Sequence, residues 1–187
     1  MAFKKTASLD DLVIITAFSY NHISEAEEYD LILYVDTSVI FKNVNGSSIK
    51  DLITVANTPK YELGTILLSR TGHSIKAATN PKMYKYLPIN DTLASKTEMF
   101  GATSMLWRKT PMSLEILKSL VICSMLPDCL SPMGSYLYCD NNRLSKGEYA
   151  NCHRFDQSAV NILLVNASNG DTNRYVILNP ILKIERD

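Results

Sequence analysis

Apolar positions along this chain come in two rhythms. Short unbroken runs rich in Val, Ile and Leu predict strands buried on both faces of a parallel sheet. Such runs stand in "DLVIITAFS" (Asp11 to Ser19), in Leu31 to Val35 of "YDLILYVDTSVIF", which ends at Asp36, and in "GTILLSRTG" between two glycines. "EMFGATSMLWRK" reads as a strand or extended segment, and "NRYVILNPILKIE" as a closing strand. Between them the rhythm changes to that of helices. "YNHISEAEEY" has Ser24 as a cap with Glu27 as its partner, and "SIKDLITVAN" has Ser48 with Asp51. "NPKMYKYLP" starts on Asn-Pro and stops at Pro88. "PMSLEILKSLVICSML" is opened by Pro111 and places Leu114, Leu117, Leu120 and Val121 on one face, while "DQSAVNILLVNAS" stops at Asn169-Gly170. A turn is expected at Gly46, and Pro127 to Asn151 reads as loop. Strands alternating with helices imply an α/β layer arrangement with a mostly parallel sheet flanked by helices. With no repeat and no linker composition, residues 1–187 read as a single domain.

Composition narrows the function. An apolar fraction of 46% and a charged fraction of 20% are those of an ordinary globular protein. The formal net charge is zero, so nothing draws the chain to a nucleic-acid backbone. No apolar run reaches the length of a membrane span, and "MAFKKTASLD" lacks the apolar centre of a signal peptide, so the chain taken literally reads as cytoplasmic. The cysteines point the other way. Cys123, Cys129, Cys139 and Cys152 cluster as C-x5-C-x9-C-x12-C, a set that two disulfides or four reduced thiols satisfy equally. Without a C-x-x-C pair, a structural zinc site is weakly signalled. Three sequons, at Asn45, Asn90 and Asn166, add little because such triplets arise by chance.

Three stretches carry candidate chemistry. Asp36 and Ser38 follow a strand, where α/β sheets bind ligands, and an extended backbone would aim both oxygens at one side. The plain alternative is that they begin a turn. A phosphatase-like nucleophile is disfavoured, because Ser38 stands where a second acid is needed. In "CHRFDQSAVNILLVN", His153, Arg154, Asp156 and Gln157 crowd the front of a helix, where free N–H groups suit anionic or hydroxyl-rich ligands. There Asp156 would be either the N-cap or a base accepting a sugar hydroxyl's proton, and His153 a metal or phosphate ligand. Third, His73 and Ser74 lie just past a strand end, followed by Lys76, as a binding loop or a solvated polar one. Tyr84, Tyr86 and Trp107 are sugar-stacking or core aromatics.

Taken in order, "ILYVDTSVIF", "GTILLSRTGHSIKAATNPKMYKYLP", "EMFGATSMLWRKT", "VICSMLPDC" and "CHRFDQSAVNILLVN" resemble a family of uncharacterised proteins abundant in nematodes, itself similar to GT-A-type glycosyltransferases. The resemblance covers about Asp11 to Val176. It implies a GT-A-like (Rossmann-like) fold and transfer of a sugar from a nucleotide-sugar donor to a glycan or protein acceptor. It places Asp36 and Ser38 at the metal and nucleotide-sugar motif, His153 at a late metal- or phosphate-binding position, and Asp156 and Gln157 where a sugar or acceptor contact is expected. On that basis a Mn2+ or Mg2+ ion is expected at Asp36 with His153, and Asp156 as base or sugar-positioning carboxylate; Ser38, Gln157 and, from the residues themselves, His73 and Arg154 are expected substrate contacts. It also implies a disulfide-bearing domain of the Golgi lumen or secretory pathway, held behind a membrane anchor that this chain does not carry. One departure stands out: only Ser24 to Tyr29 separates the first strand from the D-x-S strand, where such domains place further βα units of roughly thirty residues each. The nucleotide-binding half therefore reads as shortened. The competing expectations are a truncated, catalytically inactive binding module and an intracellular α/β module with four free thiols.

Overall fold

The computed structural model describes residues 7–15, 29–42, 48–178 and 181–185. The expected helix from Ser24 and the turn at Gly46 lie outside them. The chain divides into two compact units, one of Met1–Ser69, Ala102–Leu114 and Asn173–Asp187, the other of Arg70–Gly101 and Glu115–Thr172. The strands are β1 (Leu12–Ile15), β2 (Leu31–Val35), β3 (Val39–Phe41), β4 (Thr65–Ser74), β5 (Glu98–Arg108) and β6 (Leu182–Ile184). The α-helices among the described residues are α1 (Ile49–Ala56), α2 (Asp91–Lys96), α3 (Pro111–Met125), α4 (Asn141–Ser145) and α5 (Phe155–Ala167).

The fold is α/β, with a four-stranded sheet in the order β1-β2-β5-β4 flanked by helices, and β3 paired with β6 apart from it. The expectation of a mostly parallel sheet is corrected. β1 and β2 are parallel, but β2 runs antiparallel to β5, pairing Leu31 with Arg108 and Val35 with Ser104. β5 also runs antiparallel to β4, because Arg108 N–H donates to Gly64 O near one end and Ile75 N–H to Thr97 O beyond the other. The sheet is therefore mixed. β1 is not buried on both faces either: it is an edge strand with Ile14 45% exposed.

In the first unit, Leu31, Leu33 and Val35 point inward from β2 while Ile32 and Tyr34 are half-exposed. They pack with Leu52, Ile53 and Ala56 of α1 and with Tyr61, Ile66, Leu68 and Leu106. The start of α1 follows the sequence signal closely. Asp51 N–H donates to Ser48 Oγ at 3.2 Å and Ser48 N–H to Asp51 Oδ2 at 2.8 Å, a reciprocal capping box. α3 is opened the same way: Thr110 N–H donates to Ser113 Oγ and Ser113 N–H to Thr110 Oγ1. Gly64 sits against this cap with φ of 80°, and a Cβ there would fall 2.5 Å from Thr110 Oγ1 and 2.6 Å from Arg108 O.

The second unit has its own core of Ile75, Ala78, Met83, Ala94 and Met99 against Ala159, Ile162 and Val165 of α5, completed by both disulfides, Cys123–Cys129 and Cys139–Cys152. Asn161 on α5 clamps the start of β5, accepting from Phe100 N–H and donating to Phe100 O, each at 2.8 Å. The helix ends as its sequence predicts. Asn169 takes a left-handed φ of 54°, its N–H donates to Asn166 O, and Gly170 N–H donates to Val165 O. The Asn-Pro start at Asn80 produces only a short 3-10 turn, Pro81–Lys85, with Asn80 Oδ1 accepting from Lys82 N–H. On α3 the expected apolar face is mostly exposed, and of its four residues Leu120 packs against the second unit's core. Leu114, Leu117 and Val121 are 40%, 38% and 47% exposed, and the helix buries Ser113, Ile116 and Cys123 instead.

Candidate functional site

The D-x-S stretch is a tight turn. Val39 N–H donates to Asp36 O at 3.0 Å, and Asp36 Oδ1 accepts from Thr37 N–H at 2.9 Å. The backbone is not extended across these residues, so the geometry that would aim Asp36 and Ser38 at one side is not formed; Ser38 O accepts from Glu185 N–H. Both residues belong to the first unit, whereas His73, His153, Arg154, Asp156 and Gln157 belong to the second.

His153 is fully buried. Its Nδ1 accepts from Asn80 N–H at 3.1 Å, and its Nε2 lies 3.0 Å from Leu130 O, which requires the proton on Nε2. Its own N–H donates to Tyr136 O at 2.6 Å. The Phe155 ring meets the imidazole edge-on at 5.1 Å. One side chain and its backbone thus tie three segments together, next to the Cys139–Cys152 disulfide. Burial holds the imidazole below its ordinary pKa, against the contact with Leu130 O, which acts to raise it. With both ring nitrogens engaged, His153 does not fit a divalent cation in this geometry. Among the described residues no group of three His, Cys, Asp or Glu side chains gathers to hold a metal ion.

The N-cap position of α5 is Arg154, not Asp156, and its side chain makes no capping hydrogen bond. Asp156 lies in the first turn, exposed, where its charge complements the helix's positive end. Gln157 is half-buried and its carbonyl accepts from Asn161 Nδ2 at 2.8 Å. The Arg154 guanidinium reaches Cys139 Sγ at 3.6 Å.

What gathers in the second unit is an open hollow of about 440 Å³ lined by Arg70, Gly72, His73, Ser74, Lys96 and Glu98. His73 and Ser74 are not past the strand end as the sequence suggested. β4 continues through Ser74, because β5 supplies partners that far: Thr71 Oγ1 donates to Met99 O, and Ile75 N–H to Thr97 O. Gly72, at φ of 79°, lets the Glu98 carboxylate approach its N–H at 3.0 Å. Arg70 holds the same carboxylate through Nε at 3.0 Å and Nη2 at 2.6 Å. Partial burial pushes the Glu98 carboxyl up, but Arg70 and the Gly72 N–H together bring it below its ordinary value. Burial lowers the His73 imidazole, and the positive charge of Arg154 adds to that, against Ser74 O and Glu98, which act to raise it. At neutral pH the lining thus holds an ion pair, a neutral imidazole and the exposed Lys96 ammonium, and it feels Arg154 nearby. Its net charge is positive.

Sequence reasoning found His73 and Arg154 but missed Arg70, Lys96 and Glu98. The available signal was weak: an arginine and a glutamate in two strands of unknown register become neighbours only once those strands pair. Tyr84 is half-buried, with burial and the Asp91 charge raising its phenol to about 12, and Trp107 is 8% exposed, so both sit mainly within packed structure. All four cysteines are oxidised, which is compatible with a secreted or lumenal protein. No helix among the described residues is long and apolar enough to cross a membrane. Comparison of the chain with protein-family models, with curated proteins and with solved structures finds no match in any of the three.

Proposed function

We propose that this chain is a glycosyltransferase-like domain of an oxidising compartment that binds an anionic, hydroxyl-rich ligand, a nucleotide-sugar or an acidic glycan, without transferring the sugar itself. The observation that carries this reading is the positively charged hollow. Lys96 and Arg70 offer charge-assisted donors to a phosphate or carboxylate. Ser74 and neutral His73 offer sugar-hydroxyl partners. Transfer with a divalent cation is less well supported, since His153 spends both nitrogens on backbone groups and Asp36 spends one oxygen on its own turn.

The test is calorimetric titration of the purified chain with UDP- and GDP-sugars and with an acidic oligosaccharide, with and without Mn2+. Saturable binding that needs no metal, with no release of nucleotide over hours, is the expected result. Failure of every anionic sugar to bind would sink the reading. A second reading, sugar transfer, is favoured by one observation: Asp156 is an exposed carboxylate on the first turn of α5, two residues from Arg154. Nucleotide release that requires acceptor and vanishes in Asp156→Asn would establish it.

A further inference from the structure

We propose that Asn90 is a site of N-linked glycosylation, and that the neighbouring sequon at Asn166 is not. This rests on the oxidising compartment that the two disulfides support, because the modification is made along the same route.

The two triplets look alike in sequence, Asn90-Asp-Thr92 and Asn166-Ala-Ser168, but the fold treats them differently. Asn90 is exposed and caps α2. Its Oδ1 accepts from Thr92 N–H at 2.9 Å and Leu93 N–H at 3.3 Å. That turns the carbonyl branch of the amide toward the helix and leaves Nδ2 on the branch facing away. An amide bearing a sugar on nitrogen keeps its carbonyl oxygen, so the cap survives the modification. Thr92 is exposed as well. At Asn166, by contrast, Nδ2 is the working atom of a tertiary contact, donating to Pro88 O at 2.8 Å. Ser168 is 2% exposed, and its hydroxyl donates to Val165 O. Asn166 is itself exposed, so the difference lies in its nitrogen: a sugar there would compete with the contact to Pro88 O. Asn45 lies outside the described residues.

In the reaction, the Asn90 Nδ2 forms a bond to the anomeric carbon of a lipid-diphosphate-linked oligosaccharide. The anomeric carbon–oxygen bond to the diphosphate breaks, the lipid diphosphate leaves, and Nδ2 gives up one proton. No oxidant or reductant enters.

The experiment is secretion of the full chain from a eukaryotic cell behind a cleavable leader, with treatment by peptide N-glycosidase, peptide mass mapping and a thiol count on the same sample. The expected result is a glycosidase-sensitive mobility shift, conversion of Asn90 to aspartate on release, and an unmodified Asn166. The shift is lost in Asn90→Asp, which keeps a capping carboxylate. It is also lost in Thr92→Ala and retained in Thr92→Ser. A secreted chain with all four cysteines oxidised and no sugar at Asn90 overturns the site while leaving the compartment intact. So does mass mapping that finds sugar at Asn45 or Asn166 and none at Asn90. A chain with four reactive thiols and no sugar overturns the site and the compartment together.

Discussion

Two residues show how surroundings assign a role. His153 has the composition of a ligand and the surroundings of a strut: both ring nitrogens meet backbone groups, and protonating Nδ1 would set an N–H against the Asn80 N–H. Because its folded-state pKa lies below the ordinary histidine value of about 6.5, the unfolded chain binds more protons on acidification. The stability it contributes is full above about pH 6.5 and is lost as pH falls through the lower folded value. Chemical denaturation at neutral and mildly acid pH should therefore show a loss of stability on acidification that shrinks in His153→Gln; an unchanged pH dependence would refute this. His73 titrates in the same direction, so His73→Gln, measured alongside, separates the two contributions. At neutral pH, His153→Ala should cost about 3 kcal/mol, since it strands the Asn80 N–H and the Leu130 carbonyl. Gly64 is the second case. A Cβ there collides with the Thr110 cap and the φ is left-handed, so Gly64→Ala should lower the unfolding midpoint by an amount equivalent to at least about 2 kcal/mol.

Helix ends were the most legible elements and helix faces the least. The Ser48–Asp51 box and the Asn169-Gly170 stop need only neighbours in sequence, and both formed as read. Asn169→Val should destabilise by about 1 kcal/mol and Asn169→Gly should not, because only the left-handed φ distinguishes them. The buried side of α3 was misread because that helix is apolar nearly all round, so periodicity alone cannot say which stripe finds a partner. The front of α5 depends on distant chain as well. The Cys139–Cys152 bridge closes a loop of 13 residues' separation beside His153. Replacing both cysteines by serine should cost about 3 kcal/mol by chain entropy. Hydrogen exchange should rise first at Phe155 to Ser158; protection unchanged there, with stability intact, would show the bridge to be dispensable.

Across the whole molecule, formal charge is zero, yet its distribution is not even. Pairing β4 with β5 gathers Arg70, Lys96 and His73 around Glu98, and the Arg154 charge is felt there. Binding of a nucleoside diphosphate sugar should weaken several-fold from low to physiological salt, as expected for a partly exposed charged site. Lys96→Ala should weaken it further without changing thermal stability, since that ammonium is exposed. Arg70→Ala should do both, because it also strands the half-shielded Glu98 carboxylate.

What the sequence determined by itself was whatever depends on residues within a few positions of one another. The α/β alternation, the capping box of α1, the stop of α5 and the position of β2 all follow from short-range hydrogen bonding and side-chain period. Tertiary structure alone decided the rest. The parallel or antiparallel sense of β5, the pairing of four cysteines and the enclosure of His153 depend on which distant segments come together. Local chemistry presents a histidine or a carboxylate identically whether it will face solvent or packed hydrocarbon, and only the fold supplies that difference.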